Sequence, residues 1–493
     1  MTQLNAQALS ELDGKVSVPA YDRAQVRGGI VHLGVGGFHR AHQAMYLDAL
    51  MNRGQALDWG ITGVGLLPSD RRMQEVMSAQ DCLYTLVLKH ADGSMEPRVV
   101  GSVVDYLFAP DDPQAVLRRL VDPATRIVSL TITEGGYHLN QATGAFDAAD
   151  PAIQRDLQTG AVPETAFGYL TEALARRRAD GVEPFTVLSC DNIQGNGEVA
   201  QRMLDAFARL RDPELASWIE QQVSFPNSMV DRITPTTTDA DRALLAERFG
   251  VDDGWPVVCE PFAQWVVQES FPGGRPPLQE VGVQLVEEVE PYELMKLRLL
   301  NASHQALCYL GRLSGYHYAH EVCADPLFVK FLLGYMDAEA TPTLAPVPGM
   351  DLQRYKHQLI ERFANPEIAD PLSRLCAESS DRIPKWLVPV IDDQLAAGGP
   401  VRRSALVVAS WARYAEGVDE SGGSIDVVDR RREQVMARAR RQRQEPLAFL
   451  ADRDLFGDLA ENETFTSAYR EALESLHARG ARATLERWEA EQQ

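Results

Sequence analysis

Residues 29–39 read Gly-Ile-Val-His-Leu-Gly-Val-Gly-Gly-Phe-His, and this stretch decides the fold of the N-terminal half. Its first five residues are a short apolar run that predicts a strand, and the amphipathic residues 40–51 predict a helix. The glycines in between let a backbone approach a pyrophosphate, which the helix N-terminus then faces with unpaired N–H groups and a positive dipole. The usual fingerprint has a third glycine where His39 stands, so the match to a dinucleotide-binding turn is partial.

Strand-like and helix-like segments alternate through the rest of this half. Further strands are predicted at 60–66, 126–133 and 185–189, with a helix at 165–178. Two segments, 84–89 and 98–106, flank Ala-Asp-Gly-Ser and predict a hairpin-like pair, and we expect 223–235 and 255–267 to extend the sheet. This order predicts an α/β fold, with a Rossmann-type doubly wound parallel sheet covered by helices on both faces.

The character of the chain changes near residue 290. Beyond this point the sequence predicts mostly helices, joined by loops that contain proline and glycine. We therefore predict two domains: residues 1–287 form a dinucleotide-binding Rossmann-type domain, and 288–493 form a mainly helical substrate and catalytic domain.

Charge and cysteine usage limit the partners of this protein. The net charge of -22 argues against nucleic acid or an anionic membrane as the main partner. The N-terminus shows no basic region followed by an apolar run, and no apolar stretch is long enough for a membrane span, so neither a signal peptide nor a transmembrane helix is expected. The six cysteines form no Cys-x-x-Cys pair and no zinc spacing, which favours a reduced, cytoplasmic protein without a bound metal.

Lysine is rare in this chain and accounts for 6 of the 48 basic residues. Arginine stays protonated, whereas a desolvated lysine can act as a base near neutral pH. One of the six is Lys296, on a predicted helix that also carries Glu293, Asn301 and His304. At about 100° per residue these four side chains fall within roughly 140° of one helix face. A core helix whose polar members are satisfied locally would show the same spacing.

Three polar residues lie within four residues of the ends of predicted strands, where ligands bind in open parallel sheets. Asp70 is placed to accept the ribose hydroxyls of a dinucleotide, although it lies about 36 residues beyond the glycines instead of the usual ~20. Arg71 and Arg72 come next and could meet a 2′-phosphate, so the sequence favours NAD without excluding NADP. Glu134 and Asn192 lie at two other strand ends, where both could equally be turn residues.

An arginine-rich stretch covers residues 430–443. It contains seven arginines on a predicted helix. We expect a solvated helix face that is partly paired with Asp and Glu, and a docking patch is the alternative.

Taken together, the motifs resemble the polyol-specific long-chain dehydrogenase/reductase family over most of the chain. The resemblance rests on residues 34–42, Thr-Ile-Thr-Glu-Gly-Gly at 131–136, Ser-Cys-Asp-Asn at 189–192, Phe-Pro-Asn-Ser-Met-Val-Asp-Arg-Ile-Thr-Pro at 225–235, Cys-Glu-Pro-Phe at 259–262, and Lys296 with Leu300, Asn301 and His304. It implies a Rossmann-type domain with a helical domain after it.

The resemblance also implies roles for individual residues. Lys296 would be the general base, without a metal, and Glu293 would help carry its proton to solvent. Asn192 and Asn301 would donate hydrogen bonds to the developing alkoxide. Substrate hydroxyls would be bound by His304, Asp231, Arg374, Arg382 and Lys385, of which Arg382 departs from a lysine in the family pattern. The cofactor would be bound by Gly34, Gly36, Gly37, Phe38, Asp70 and Glu134.

The activity that this resemblance implies is the NAD-dependent oxidation of D-mannitol at C2 to D-fructose, and the reverse reaction. The resemblance is also compatible with a monomeric protein. A lysine accepts the proton only if its pKa is drawn down from about 10.4 by burial or by positive neighbours. Reduction of fructuronate or tagaturonate is an alternative, in which Arg374 or Arg382 would bind the substrate carboxylate. Oxidation of D-arabinitol at C4 is another. A nucleotide-binding regulator would not need Lys296, Asn192 and Asn301 together.

Overall fold

The computed structural model describes residues 1–12, 14–140, 144–158 and 160–491. The chain divides into two compact units, Met1–Glu290 and Pro291–Gln493. The sequence places the domain boundary between residues 287 and 288.

The N-terminal unit is built on strands. In chain order they are β1 (Thr2–Gln3), β2 (Gly28–Leu33), β3 (Gly60–Gly65), β4 (Tyr84–Lys89), β5 (Met95–Val100), β6 (Val103–Phe108), β7 (Ile127–Leu130), β8 (Thr186–Ser189), β9 (Ser228–Asp231), β10 (Val251–Asp252), β11 (Val257–Cys259), β12 (Gln264–Gln268) and β13 (Gln284–Val286). Among the described residues the largest sheet has five strands in the order β6-β3-β2-β7-β8, and every neighbouring pair is parallel. The chain runs outward on one side of β2 and then returns to the other side, which is the doubly wound order of a Rossmann-type domain.

Helices cover both faces of this sheet. The helices of this unit are α1 (Leu9–Leu12), α2 (Gly37–Ala41), α3 (Gln43–Met51), α4 (Arg71–Ala79), α5 (Pro113–Val121), α6 (Thr133–Gly136), α7 (Pro151–Asp156), α8 (Ala166–Asp180), α9 (Asn196–Arg211), α10 (Pro213–Gln222) and α11 (Asp239–Phe249), with 3₁₀ turns at Arg23–Gln25, Pro68–Asp70 and Leu278–Val281. Side chains alternate along β2: Val31 and Leu33 join one buried cluster, and Ile30 joins the other. Because the strand is buried on both faces, most of its side chains are apolar. The prediction of a Rossmann-type domain is confirmed.

Two predictions about the strands are wrong. The predicted hairpin-like pair is present, since β4 and β5 are antiparallel, but residues 98–106 do not form one strand. The pair of β4 and β5 belongs to a separate sheet, and β6 joins the main sheet. The chain turns at residues 101 and 102 because distant groups bind it there. The Gly101 N–H donates to the Asp48 carboxylate at 2.9 Å, and the Ser102 hydroxyl donates to the Ala44 carbonyl at 2.6 Å.

Nor do residues 223–235 and 255–267 extend the main sheet. They form shorter strands, of which β9 and β12 pair with each other in a small sheet of their own with β13. Prolines at 226, 235, 256 and 261 interrupt both segments. Each proline removes a backbone donor, and this limits how far a strand can pair.

The C-terminal unit is mainly helical, as predicted. Its helices are α12 (Glu290–Met295), α13 (Ala302–Leu313), α14 (Ala319–Cys323), α15 (Pro326–Tyr335), α16 (Leu352–Phe363), α17 (Leu372–Cys376), α18 (Ser379–Trp386), α19 (Val388–Ala397), α20 (Arg402–Tyr414), α21 (Arg432–Arg441), α22 (Arg453–Phe456), α23 (Glu463–Arg479) and α24 (Ala481–Ala490). A first π-turn spans Lys296–Asn301 and a second spans Met336–Ala340, with 3₁₀ turns at Thr341–Thr343 and Leu459–Glu461. The buried ring of Trp411 in α20 packs edge-on against Phe449, 4.9 Å away.

The arginine-rich stretch lies around α21, and its arginines pair with acidic groups of the same unit. The ion pairs join Arg430 to Glu378, Arg431 and Arg438 to Asp452, Arg432 to Asp426, Arg441 to Glu445 and Arg443 to Glu416. Arg440 donates to the Glu416 carbonyl at 3.3 Å. The stretch is therefore a paired helix face, as the sequence indicated.

No helix in the described part of the chain combines the length and the apolar character needed to cross a bilayer.

Candidate functional site

The glycine turn lies at the switch point of the main sheet, directly after β2. Gly34 has φ +92°, and a Cβ on it would lie 2.3 Å from the Thr131 carbonyl oxygen at the end of β7. Only glycine fits this close crossing of two strand ends. At Gly36 and Gly37 an added Cβ would meet nothing nearer than 4.0 and 3.8 Å, so one side of this backbone is open. The open backbone before α2 fits a dinucleotide phosphate.

His39 takes the place of the third glycine and is buried in α2. Its ring stacks on the ring of His32, with 3.5 Å between centroids, and Phe38 stacks on His42 at 4.9 Å. Burial, together with the positive charge of Arg40, holds the pKa of His39 well below its usual value. The position is therefore filled by a neutral aromatic ring that packs beneath the turn. The glycine fingerprint alone does not predict that a buried histidine ring can take the place of its third glycine.

Asp70 and its neighbours come after β3. The Asp70 carboxylate accepts the Leu67 N–H at 2.9 Å, which closes the turn and leaves the carboxylate partly exposed. The Arg71 guanidinium binds both oxygens of Asp111, at 2.5 and 2.6 Å, and Arg72 lies 4.6 Å from the Trp255 ring centre. Arg71 is thus paired with a carboxylate, whereas Arg72 lies over an aromatic ring.

Glu134 and Asn192 come after β7 and β8, which are adjacent and parallel. Asp191, the residue before Asn192, is buried, and its carboxylate accepts the N–H groups of Ile132 and Thr133 at 3.1 and 2.8 Å and the hydroxyl of Tyr137 at 2.8 Å. It therefore fixes the turn that carries Glu134. Burial raises the pKa of Asp191, and the negative charge of Glu134 adds to this. Sequence reasoning missed this carboxylate, although the resemblance included it within residues 189–192.

Asp231 is buried at the end of β9. The next residue, Arg232, donates through Nε and Nη2 to the Glu260 carbonyl at 3.0 and 2.9 Å, and through Nη1 to the Ala41 carbonyl at 2.7 Å. The Ile233 N–H donates to the Glu260 carboxylate at 2.6 Å. The Val-Asp-Arg-Ile motif therefore ties β9 to α2 and to the segment after β11, which sets the position of Asp231.

In the C-terminal unit, Lys296 and Asn301 are the first and last residues of the first π-turn. The Ala302 N–H bonds to the Leu297 carbonyl, five residues back instead of four. The wider turn rotates by about 80° per residue instead of about 100°. Counted this way, Glu293, Lys296, Asn301 and His304 fall within about 80° of one face, a narrower arc than the one the sequence predicts.

Cationic side chains surround His304. Burial holds the pKa of His304 well below its usual value, and four positive groups add to this effect: Arg374, Arg362, Arg382 and Lys296. The structure therefore brings Lys296, Arg374 and Arg382 into the neighbourhood of His304. Glu293, Lys296 and Asn301 are all buried.

The predicted substrate-binding cations have partners within their own unit. Arg374 donates through Nε and Nη2 to the Asp370 carboxylate, with 2.6 Å between Nε and Oδ1. Arg382 donates to the carbonyls of Arg374 and Leu375 at 3.1 and 3.0 Å. Lys385 pairs with Asp381 at 2.9 Å and is exposed. Over the described residues, no three histidine, cysteine or carboxylate side chains come together as a metal site.

Each of the two units matches the model of a known family domain. Residues 28–280 match the model of the mannitol dehydrogenase Rossmann domain, and residues 288–477 match that of the mannitol dehydrogenase C-terminal domain. The chain belongs to the mannitol dehydrogenase family. Membership agrees with the resemblance that the sequence motifs suggested.

Individual relatives match over nearly the full chain. The mannitol 2-dehydrogenase of Phaeosphaeria nodorum is 47% identical over 98% of this chain and 85% of its own length. That of Aspergillus fumigatus is 46% identical over 99% of both chains.

Two solved structures match both units. The Pseudomonas fluorescens mannitol 2-dehydrogenase in ternary complex with NAD and D-mannitol is 48% identical, covers 99% of both chains and has a TM-score of 0.89. A D-sorbitol dehydrogenase in substrate-free form is 38% identical over 98% of this chain and all of its own, with a TM-score of 0.90.

Proposed function

We propose that this protein oxidises D-mannitol at C2 to D-fructose with NAD, and catalyses the reverse reduction, by a metal-free mechanism with Lys296 as the general base. The observation that carries the proposal is the single helix face that presents a buried lysine, an amide and an imidazole. Full-length identity of nearly half to mannitol 2-dehydrogenases supports the choice of substrate.

In this mechanism Lys296 takes the proton from the C2 hydroxyl. A lysine can do so only when neutral, and Lys296 is buried, an environment that disfavours a charged amine. Asn192 and Asn301 donate hydrogen bonds to the developing alkoxide, and Glu293, about one turn before Lys296, passes the proton toward solvent. Neutral His304 binds a substrate hydroxyl without adding charge, and Asp231 binds another.

NAD would be held by the turn of Gly34, Gly36, Gly37 and Phe38, with Asp70 on the adenosine ribose and Glu134 beside the nicotinamide. When bound, it accepts the hydride that leaves C2. The preference for NAD over NADP rests on the arginines next to Asp70. The Nη1 and Nη2 groups of Arg71 both donate to the Asp111 carboxylate, so a 2′-phosphate would have to displace that carboxylate from Arg71.

A neutral polyol suits the described cations better than a uronate. A carboxylate substrate binds best to a guanidinium edge with two available donors, and the Nε–Nη2 edge of Arg374 is already bound to Asp370. The substrate hydroxyls would then accept hydrogen bonds from Arg374, Arg382 and Lys385. A hydroxyl can accept such a bond from a side chain that also donates to another group. D-Arabinitol differs from mannitol mainly in chain length, so only kinetics separates these two substrates.

The test is a comparison of substrates with the purified protein. NAD reduction is measured with D-mannitol, D-sorbitol and D-arabinitol, and NADH oxidation with D-fructose, fructuronate and tagaturonate. We expect the highest kcat/KM on the mannitol and fructose pair. Turnover on fructuronate with none on fructose would overturn the proposal.

Two further measurements test the mechanism. Lys296→Ala should lower kcat by several orders of magnitude and leave NADH binding intact, because the lysine acts on the alcohol; Lys330→Ala, in the same unit, is the matched control. Activity should also survive dialysis against a chelator. Loss of activity that zinc restores would contradict the metal-free mechanism.

We also propose that the protein is a monomer and that it is located in the cytoplasm. All six cysteines are buried free thiols, which supports a reducing compartment. Light scattering on the purified protein tests the monomeric state.

A further inference from the structure

The first π-turn has a structural consequence at one carbonyl. In regular helical bonding the Ala302 N–H would bind the Arg298 carbonyl, but here it binds the Leu297 carbonyl. The Arg298 carbonyl accepts a hydrogen bond from the Tyr335 hydroxyl at 3.2 Å instead. Tyr335 is fully buried, so no water can take over this bond.

The side chain of Arg298 is anchored as well. Its Nη1 donates to the Thr343 carbonyl at 2.8 Å and to the Asp393 carboxylate at 2.6 Å. Tyr335 and Thr343 bracket one continuous segment that contains the second π-turn. One segment therefore holds Arg298 at its carbonyl and at its guanidinium, in the middle of the first π-turn.

We propose that Tyr335 and Arg298 are positioning residues for the reaction, which hold the first π-turn in its widened form and so keep Lys296 and Asn301 on one face. This inference rests on the proposed function of Lys296. Regular helical bonding would place Lys296 and Asn301 about 140° apart, whereas the π-turn places them about 40° apart. A base and an oxyanion donor that serve the same hydroxyl group must lie on one side of the helix.

The experiment compares two buried tyrosines that each donate a hydrogen bond of the same length. Tyr335→Phe removes the donor to the Arg298 carbonyl, and Tyr469→Phe removes a 3.2 Å hydrogen bond to Gln442 in the same unit. We expect Tyr335→Phe to lower kcat on D-mannitol about tenfold, with NADH affinity unchanged, because a buried carbonyl without a donor favours rebonding of the turn. The control should lose comparable thermal stability and keep kcat.

Asp393→Asn provides a milder second variant, because it weakens the anchor of Arg298 from its exposed side. We expect kcat to fall two- to threefold. The proposal is overturned if Tyr335→Phe keeps kcat within twofold of the wild type, or if Tyr469→Phe loses as much activity.

Hydrogen exchange separates this proposal from the proposed function. Amides of residues 297–303 should exchange faster in Tyr335→Phe than in Tyr469→Phe, whatever substrate the enzyme uses. Equal exchange in the two variants would refute the positioning role even in an active enzyme. If the wild type turns over a different polyol, the same kcat comparison is made with that substrate.

Discussion

Glu416 should stabilise the C-terminal unit more than any exposed ion pair of the arginine-rich stretch. Its carboxylate is 7% exposed and accepts hydrogen bonds from His477 at 2.6 Å, Gln442 at 3.0 Å and Arg443 at 3.1 Å. Burial alone would raise the pKa of Glu416, but the bonds from His477 and Gln442 outweigh it and lower the pKa from 4.5 to about 2. At about 1.36 kcal/mol per pKa unit, this shift corresponds to about 3 kcal/mol of stability at neutral pH.

The pH dependence has a definite sign. Because the folded pKa lies below the unfolded one, the stabilisation is fully present above about pH 4.5 and is lost as the pH falls toward 2. Glu416→Gln should therefore lower the free energy of unfolding of this unit by about 3 kcal/mol at pH 7, and by only about 2 kcal/mol at pH 3.5.

The control for this variant is Glu445→Gln. Glu445 pairs with Arg441 at 2.6 Å, but both side chains are more than 60% exposed, so its removal should cost less than about 0.5 kcal/mol. Hydrogen exchange of the α20 amides, next to Glu416, measures the free energy of opening in both variants. Equal values for the two variants at pH 7 would refute the argument from burial and hydrogen bonding.

Three further predictions concern the N-terminal unit. Asp111→Asn should release Arg71 and raise kcat/KM for NADP about three- to fivefold while leaving NAD kinetics nearly unchanged, and unaltered NADP kinetics would count against the role of this pair. Arg232→Met should cost about 3–5 kcal/mol in urea unfolding, because it leaves buried carbonyls without donors, whereas the exposed Arg430→Met should cost little. Asp191→Asn puts an amide N–H against a backbone N–H, so kcat/KM should fall at least tenfold at unchanged fold content; a wild-type value would show that the turn does not need the carboxylate.

The alternation of apolar segments was enough to predict the Rossmann-type domain. The strand β2, the glycine turn and α3 can be derived from local sequence alone, because apolar period and turn chemistry are local properties. The break between β5 and β6 is different in kind, because it depends on Asp48 and Ala44, some fifty residues earlier in the chain. No local pattern contains that information.

The first π-turn shows a second limit of sequence reasoning. A helical wheel assumes one rotation per residue, and the sequence of residues 293–304 does not reveal where the rotation changes. The prediction that these residues share one face is compatible with the π-turn, because a widened turn moves Asn301 and His304 toward Lys296 and not away from it. The bonds that fix the turn come from Tyr335 and Thr343, which are distant in sequence.

Hydrogen bonds within the fold explain the presence of two polar residues in these motifs. Arg232 and Asp191 stand beside Asp231 and Asn192 in their motifs, and all four are polar. Arg232 donates hydrogen bonds to two backbone carbonyls, and Asp191 accepts hydrogen bonds from two backbone N–H groups and a hydroxyl. Residues so fully engaged hold the backbone and are unsuited to binding a substrate. These bonds also set the backbone position of the neighbouring residues, Asp231 and Asn192.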